Sequence, residues 1–398
     1  MHRVTLVFIL FLLIPDLYIY LVYVVRKTRK AVLHCLYWLP TLLLAAGYVY
    51  FIFLTGDNAM SNHTQAIGRL AITIMLFVFP KTTFMLCSLV GVLAHFIIRR
   101  CPRSPFTAIG LVLAVVSFFN ILYGTLAGIT RFDTKEVEYR SANIPEGFDG
   151  YRIVQFSDLH LTSFRNRPEM VEKVVERIME QCPDMIVFTG DLVSTEANEL
   201  DGFDEILSRL HAPDGVYSIL GNHDYLTYAY YLSPEEQAAQ REELKKRQRA
   251  MNWDLLLNEH RIIRQGRDSI ALVGVENDGK PPFPERGDLK KALAGIPGYG
   301  QGNDSTRMFK VLLSHDPTHW RRKVLPQTDI QLTLSGHTHG MQFMLFGWSP
   351  SKFFYPEWKY MYREGERGLY VSLGIGGALI PFRFGAWHEI NVITLHNK

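Results

Sequence analysis

Long apolar stretches dominate the first third of the chain. Residues 4–25, 32–54, 72–98 and 108–129 are predominantly apolar, and each has the length of about 20 residues that crosses the hydrocarbon core of a bilayer. One such stretch could be a buried core helix, but four in succession favour membrane helices. A cleaved signal peptide is disfavoured, because the first stretch is long and is followed by basic residues. The pattern therefore predicts a transmembrane domain of four helices over residues 1–130.

Two of these spans contain an ionisable residue beside a proline. Asp16 follows Pro15 in the first span, and Lys81 follows Pro80 in the third. Ionisable side chains within membrane segments usually face the interior of the helix bundle or a polar cavity. Alternatively, Lys81 extends along its own alkyl chain to the membrane surface, or its span begins later. The sequence leaves both interpretations open.

From about Thr134 the pattern changes to short apolar runs separated by polar turns. Five runs rich in Val, Ile, Leu or Phe have the length and composition of buried strands. They are Arg152 to Gln155, Met185 to Phe188, Val216 to Leu220, Phe309 to Leu313 and Ile330 to Leu334. Residues 168–181 place apolar side chains on one helix face, which predicts a βαβ unit with parallel strands. An α/β domain is therefore predicted over residues 131–398.

The segments between and after these strands have other patterns. Residues 234–257 are highly charged and predict a helical insertion, whereas residues 280–304 are rich in Pro and Gly and predict a loop. Strands are predicted at residues 262–263 and 269–275, paired across Gly266, and at residues 368–374 and 389–395.

Composition and charge exclude some function classes. The formal net charge is +3, and no basic tract is interleaved with aromatic residues, so no nucleic acid is expected as a partner. Of the four cysteines only Cys182 follows the membrane segments, which excludes a disulfide framework in the second domain. The chain is therefore expected to be a membrane protein with an α/β domain that needs no disulfide.

The basic residues predict an orientation in the membrane. Residues 26–30 hold four Lys or Arg and residues 99–103 hold three, whereas residues 56–63 hold none. Connections rich in Lys and Arg stay in the cytoplasm. The domain after the fourth span is therefore expected on the extracytoplasmic face.

Candidate metal ligands follow each of the five predicted strands. Open α/β sheets place ligands at the carboxyl ends of their strands. The motifs are Asp158-Leu159-His160, Gly190-Asp191, Gly221-Asn222-His223-Asp224, His315-Asp316 and Gly336-His337-Thr338-His339. The seven candidate ligands are Asp158, His160, Asp191, Asn222, His315, His337 and His339. This mixture of nitrogen and oxygen donors suits two transition-metal ions better than a single structural zinc.

Each motif alone has another explanation. Asp158 and His160 stand at i and i+2, on one face of a strand, where one cation can take both, yet such a pair is more often a cap or a surface pair. Asp191 at a strand end can bridge two cations with its two oxygens. Asn222 could be the N-cap of a helix, and His315 alone could be a hydrogen-bonded core residue. The order and strand-end placement of all five motifs together favour a metal site.

In this order the motifs resemble those of the calcineurin-like metallophosphoesterases. The tail, at residues 370–376 and 381–384, is similar to that of the membrane-anchored subgroup of that family. The resemblance covers roughly residues 150–395. It implies a four-layer α/β/β/α sandwich with a dinuclear centre of Mn, Fe, Zn or Co. One metal would take Asp158, His160, Asp191 and His339, and the other Asp191, Asn222, His315 and His337. The resemblance makes His223 the outer-sphere acid and Asp224 the residue that holds its ring.

The chain departs from this subgroup at two places. Gly340-Met341-Gln342 stands where Gly-Gly-Gln is usual, and Leu373 stands where Arg is common. Both positions concern substrate contacts. A further open question is the group of Tyr225, Tyr228, Tyr230 and Tyr231, which could form a lid over the substrate, lie at the membrane surface or pack in the core.

Two classes of function are open at this point. The first is a membrane-anchored phosphohydrolase that cleaves a phosphoester by a metal-bridging hydroxide, with His223 protonating the leaving group; the anchor suggests a lipid-linked or envelope substrate. The second is a receptor or transport-associated protein that uses the phosphoesterase domain as a binding or regulatory module. The intact set of ligands favours the enzyme. Pocket shape decides between monoester, diester and pyrophosphate.

Overall fold

The computed structural model describes residues 2–51, 59–298, 308–377 and 380–398, with residues 2–8 and 59–65 described by their backbone. The chain divides into two compact units. One comprises Met1–Ile129 and Leu379–Phe384, and the other Thr130–Ala378 and Gly385–Lys398. They are described separately below.

Long apolar helices build the first unit. They are α1 (His2–Ile19), α2 (Ala31–Val49), α3 (Ala59–Ile97) and α4 (Ser104–Leu126). Among the described residues, three apolar stretches are long enough to cross a membrane, Ala31–Val49, Ala66–Ile97 and Ser104–Thr130, and a shorter one is Ile9–Val24. These stretches confirm the predicted transmembrane domain, although residues 52–54 of the second predicted span lie outside the described residues. Leu43, Leu111 and Val112 are more than half exposed, as side chains that face lipid are.

An ion pair between a buried carboxylate and a partly exposed lysine links α1 and α3. Lys81 donates to Asp16 with 2.6 Å between Nζ and Oδ1, and the Thr41 hydroxyl of α2 donates to the other carboxylate oxygen at 2.5 Å. The Tyr37 hydroxyl also donates to Oδ1, at 3.1 Å. Asp16 is only 1% exposed. The interpretation in which these charges face the bundle interior is therefore confirmed, and the one in which Lys81 reaches the surface alone is wrong.

Two six-stranded mixed sheets form the centre of the second unit. The strands are β1 (Phe132–Arg140), β2 (Arg152–Phe156), β3 (Met185–Phe188), β4 (Val216–Ser218), β5 (Trp253–Leu255), β6 (Glu259–Gln265), β7 (Asp268–Gly274), β8 (Phe309–Leu313), β9 (Leu332–Ser335), β10 (Tyr360–Glu364), β11 (Arg367–Val371) and β12 (His388–His396). The first sheet has the order β1-β12-β2-β3-β4-β5, and the second β10-β11-β9-β8-β7-β6. Strands β2 to β5 are parallel, as are β7, β8 and β9.

Helices cover the outer faces of both sheets. They are α5 (Pro168–Glu180), α6 (Asp204–Leu207), α7 (Pro234–Ala250), α8 (Leu289–Leu293) and α9 (Leu325–Gln327). Ile153 and Val187 of the first sheet pack against Ile270 and Val311 of the second. On the far side of the first sheet, α5 packs in one apolar cluster with Val154 and Ile186, and on the far side of the second α8 packs with Val273 and Leu312. The four-layer α/β/β/α sandwich is thus confirmed.

The structure corrects two of the predicted elements and adds a strand. The helix predicted over residues 234–257 ends at Ala250, because Asn252 turns the chain with φ 61° and buried Trp253 begins β5. The loop predicted over residues 280–304 contains α8, whose N-cap Asp288 accepts from the backbone N–H of Lys291 at 2.9 Å, and its residues 299–304 lie outside the described residues. Strand β10 was not predicted. The strand pair across Gly266 is confirmed as β6 and β7.

Candidate metal centre

The five predicted motifs meet at the carboxyl ends of β2, β3, β4, β8 and β9. Asp158, His160 and His315 are fully buried, and the His337 and His339 side chains are 6% and 13% exposed. Donor atoms lie within 4.8 Å of one another in three groups: Asp158, His160 and His339; His160, Asp191 and His223; and Asp191, His315 and His337. Side chains far apart in the sequence therefore form one continuous cluster.

The first part of the cluster is formed by two imidazoles and a carboxylate. The Nε2 atoms of His160 and His339 are 3.2 Å apart, and Nε2 of His339 is 3.4 Å from Oδ1 of Asp158. Two imidazole nitrogens that face each other so closely repel unless a proton or a cation lies between them. Imidazole and carboxylate are also common ligands of first-row divalent metals. These residues fit a metal site.

The second part has the same character. Nε2 of His315 lies 3.1 Å from Oδ2 of Asp191 and 3.1 Å from Oδ1 of Asn222. Nδ1 of His337 lies 2.8 Å from the same Asn222 oxygen and 3.3 Å from Nε2 of His315. His315 donates its Nδ1–H to the Thr189 carbonyl at 2.7 Å, which leaves Nε2 to face the cluster. Such a partner on the second nitrogen is typical of metal-binding histidines.

Asp191 joins the two parts. Its Oδ2 lies 3.1 Å from His315 and 3.6 Å from His160, while its Oδ1 accepts the backbone N–H of His223 at 2.8 Å. Only glycine fits beside it, because a Cβ at Gly221 would lie 2.2 Å from Oδ1. The tight turns at Gly190 and Gly221 thus bring two strand ends around one carboxylate.

Several candidate ligands have a strained backbone. Asp158, His160, Asp191, His337 and His339 have φ of 54°, 43°, 61°, 75° and 49°, which is uncommon for residues other than glycine. Strain of about 1–3 kcal/mol for each such residue persists mainly at functional sites. It also corrects the reasoning for the first motif: β2 ends at Phe156, so a left-handed turn, rather than one face of a strand, brings Asp158 and His160 together.

His223 lies at the edge of the cluster. Its Nδ1–H donates to the Ser194 carbonyl at 2.8 Å, which leaves Nε2 as the atom that can exchange a proton. Its ring packs against that of Tyr228, with centroids 4.3 Å apart and the rings tilted by 32°, and stands perpendicular to the ring of His160. Asn222 makes no N-cap hydrogen bond to the short helical turn that contains His223. Instead, the amide of Asn222 donates to the Tyr228 hydroxyl at 3.0 Å.

The expectation that Asp224 holds the His223 ring is wrong. The Asp224 carboxylate accepts four backbone N–H groups, from Asp191, Leu192, Val193 and Gly221, at 2.8, 2.9, 3.2 and 2.9 Å. A buried carboxylate is stabilised by such donors, and these four belong to the turns around Asp191. Asp224 therefore fixes the backbone of the cluster, and Ser194 orients the His223 ring.

Burial and mutual charge perturb the titration of this cluster. Burial raises the pKa of Asp158 to about 6 and that of Asp224 to about 7, with the Asp191 charge adding to both. Burial opposes ionisation of Asp191 too, but the charge of His315 holds its pKa well below the usual range. Burial opposes protonation of His315, but Asp191 raises its pKa to about 10. The proton on His315 lies where a cation can replace it, since metal ligands must be deprotonated.

Around His337, sequence reasoning missed Tyr355 and gave no role to Asp316. The Tyr355 hydroxyl is 2.9 Å from Nε2 of His337, and Oδ2 of buried Asp316 is 3.8 Å away. No motif surrounds Tyr355 that could have indicated it. Of the tyrosine group, Tyr228 contacts His223 and Tyr225 packs in a small apolar cluster, so the group has no single role.

Comparisons with known proteins agree with this geometry. The family model "Calcineurin-like phosphoesterase" matches residues 151–341, and "Probable Calcineurin-like phosphoesterase, transmembrane domain" matches residues 2–129. The "Uncharacterized metallophosphoesterase YkuE" of Bacillus subtilis is 32% identical over 274 residues, 66% of this chain and 85% of that protein. A "Transmembrane protein with metallophosphoesterase domain" of Danio rerio is 29% identical over 300 residues, 73% of this chain and 62% of that protein.

A shorter match involves a pyrophosphatase. The "UDP-2,3-diacylglucosamine pyrophosphatase LpxG" of Chlamydia trachomatis is 44% identical over 91 residues, 22% of this chain and 27% of that protein. Fold, clustered metal donors and family matches agree. The chain belongs to the calcineurin-like phosphoesterases, a family of metal-dependent hydrolases, and carries an N-terminal transmembrane domain.

Proposed function

We propose that the chain is a membrane-anchored phosphohydrolase with two divalent cations, Mn, Fe, Zn or Co, in its α/β domain. One cation would be held by Asp158, His160, Asp191 and His339, and the other by Asp191, Asn222, His315 and His337. The observation that carries this proposal is the position of the Asp191 carboxylate between two sets of donors. Two cations held by these residues would supply Lewis acidity and lower the pKa of a bound water.

The protein's own groups would complete the reaction. His223 is proposed as the general acid, because its Nδ1–H is committed to Ser194 and its Nε2 is free to give a proton to the leaving oxygen. The adjacent Tyr228 ring keeps this imidazole from turning away. Asp224 is proposed as a positioning residue, since it acts on the Asp191 turn through the backbone.

The proposed substrate is a phosphoester or pyrophosphate of a lipid. Two observations support this: the membrane helices keep the domain beside a bilayer, and a part of the chain is similar to a pyrophosphatase named for an acylated sugar nucleotide. Residues 1–130 would serve as the anchor and residues 131–398 as the catalytic domain. The basic connections favour placing that domain on the extracytoplasmic face.

Hydrolysis tests the proposal directly. The purified full chain is expected to cleave p-nitrophenyl phosphate or its bis-ester when Mn²⁺ is added, and Asn222→Ala is expected to lose most of this activity. A wild-type protein as inactive as Asn222→Ala would overturn the enzyme and favour a binding or regulatory module. An alkaline phosphatase fusion at Lys398 tests the orientation separately, because this reporter is active only outside the cytoplasm.

A further inference from the structure

An exposed apolar hairpin follows the last motif of the metal centre. We call residues 341–354 the aromatic hairpin. Its large apolar side chains are exposed to solvent: Met341 by 49%, Leu345 by 38%, Phe346 by 99%, Trp348 by 44%, Phe353 by 77% and Phe354 by 63%. Contiguous apolar surface of this kind marks an interaction site.

Hydrogen bonds hold the turn of the aromatic hairpin. The backbones of Leu345 and Trp348 exchange two hydrogen bonds, of 2.8 and 3.0 Å, which places Phe346 and Gly347 at the tip with φ of 49° and 77°. Lys359 donates to the Gly347 carbonyl at 2.8 Å. The exposure of Phe346 is therefore imposed by the fold.

Hydrogen bonds also hold the base of the hairpin. The buried Ser349 hydroxyl donates to the Gly340 carbonyl at 2.6 Å, and the Thr338 hydroxyl donates to the Trp358 carbonyl at 2.7 Å. Tyr355, directly after the hairpin, has its hydroxyl 2.9 Å from Nε2 of His337. The apolar tip is thus joined rigidly to the metal centre.

The chemistry of the hairpin favours a bilayer as its partner. No Asp or Glu occurs between residues 341 and 356, and the one charged side chain there is Lys352, which is exposed. Aromatic rings beside a basic residue are typical of segments that lie at the membrane interface, and a lysine there is attracted by anionic headgroups.

The hairpin packs against a glycine that directly follows a segment of the membrane unit. A Cβ at Gly385 would lie 1.8 Å from the Met344 carbonyl oxygen, so the hairpin backbone packs tightly on Gly385. Gly385 directly follows Leu379–Phe384, the segment that belongs to the membrane unit. Within that unit the Arg383 backbone N–H donates to the Gly124 carbonyl of α4 at 3.1 Å. Because the chain contains its own membrane helices, a bilayer is a partner that is always present.

We propose that the aromatic hairpin inserts Phe346 and its neighbours into the same bilayer that holds the chain's own helices. Insertion would keep the metal centre next to the lipid headgroups. A second consequence rests on the proposed function: the substrate would be a phosphoester presented in the bilayer.

Fluorescence quenching tests the insertion without any need for hydrolysis. The full chain, with Cys35, Cys87, Cys101 and Cys182 replaced by Ser, is placed in nanodiscs that hold one copy each. An environment-sensitive label is attached at Phe346→Cys and, as a matched control, at Lys246→Cys on the charged helix α7. Lipids with a nitroxide near the headgroup are expected to quench the label at position 346 and to leave that at position 246 bright.

Two results would overturn the insertion. Equally weak quenching at positions 346 and 246 would show that position 346 lies in water and not in the bilayer. A label at position 346 that is blue-shifted but unquenched in discs holding several copies, and that loses this shift in the discs holding one copy, would assign the hairpin to contacts between copies of this chain.

Kinetics test the consequence for the substrate. Phe346→Ser is expected to leave hydrolysis of soluble bis-p-nitrophenyl phosphate unchanged, while KM for a phosphoester embedded in vesicles rises about tenfold, since one buried Phe side chain is lost from the membrane. An equal loss of activity with the soluble and the embedded substrate would contradict a substrate presented in the bilayer. If wild type hydrolyses neither substrate, the proposed function fails, and the quenching result still decides the insertion.

Discussion

Replacing Asp224 by Asn tests how the metal centre is held together. Asp224 accepts two N–H groups on each carboxylate oxygen, Asp191 and Gly221 on Oδ2 and Leu192 and Val193 on Oδ1. Asparagine keeps one acceptor oxygen, so two of the four N–H groups would face an NH₂ donor. At about 1.5–3 kcal/mol for each hydrogen bond to a charged group, losing two costs about 3–6 kcal/mol.

This cost would fall on the turns that carry Asp191, the carboxylate shared by both donor sets. Asp224→Asn is therefore expected to weaken the binding of both cations and to lower the stability of the α/β domain. Isothermal titration with Mn²⁺ and chemical denaturation of the full chain in detergent measure the two effects. Glu205→Gln, which removes the same charge from an exposed position, is the matched control and is expected to behave as wild type.

The alternative role of Asp224, as the residue that holds the His223 ring, predicts a different result. If Asp224 held the His223 ring, Asp224→Asn would leave cation binding intact and would move only the limb of the pH–rate profile that reports the general acid. Wild-type cation affinity in the variant would refute the role of Asp224 in holding the backbone around Asp191.

Three further outcomes are expected. Cation affinity should rise with pH, because His315, with its pKa raised to about 10, and Asp158, with its pKa raised to about 6, lose protons on binding. Calorimetric titration in buffers of different ionisation enthalpy should show about one proton released at pH 7 and more below pH 6. A cation affinity that does not change with pH would contradict this. Tyr228→Phe removes the acceptor for the Asn222 amide and should weaken cation binding about three- to tenfold, whereas unchanged affinity would show that Asn222 is held otherwise. Lys81→Met leaves buried Asp16 without its cationic partner and should destabilise the membrane unit by about 3–5 kcal/mol, as measured by unfolding in mixed micelles. The double variant with Asp16→Leu should recover much of this loss. A double variant that recovers none of it would argue against the ion pair.

The pattern of apolar residues was sufficient to predict the main layers. The strands that precede Asp158, Asp191 and His315 are short runs of Val, Ile, Leu and Phe, and burial on both faces of a parallel strand requires such runs. Helix α5 was predicted because its apolar side chains recur on one face. The motifs were predicted together because each follows a strand end.

Other features depend on contacts that have no local pattern. Trp253 enters a sheet directly after a charged helix, so its strand was hidden in the predicted helix. The acceptor of the His223 ring is a backbone carbonyl, which every residue has. No sequence pattern indicates such an acceptor, and the resemblance to the family had implied the neighbouring Asp224. The left-handed conformation of Asp158 and His160 is imposed by the surrounding turns, not by residue type.

The number of metal ions bound to each chain tests the central claim most directly. Inductively coupled plasma mass spectrometry on the full chain, reconstituted with Mn²⁺ and freed of excess ion, is expected to find two ions in wild type. Asn222→Ala should lose one ion, and Asp191→Ala should lose both, because Asp191 is shared. One ion in wild type, or two retained in Asp191→Ala, would contradict the proposed dinuclear centre.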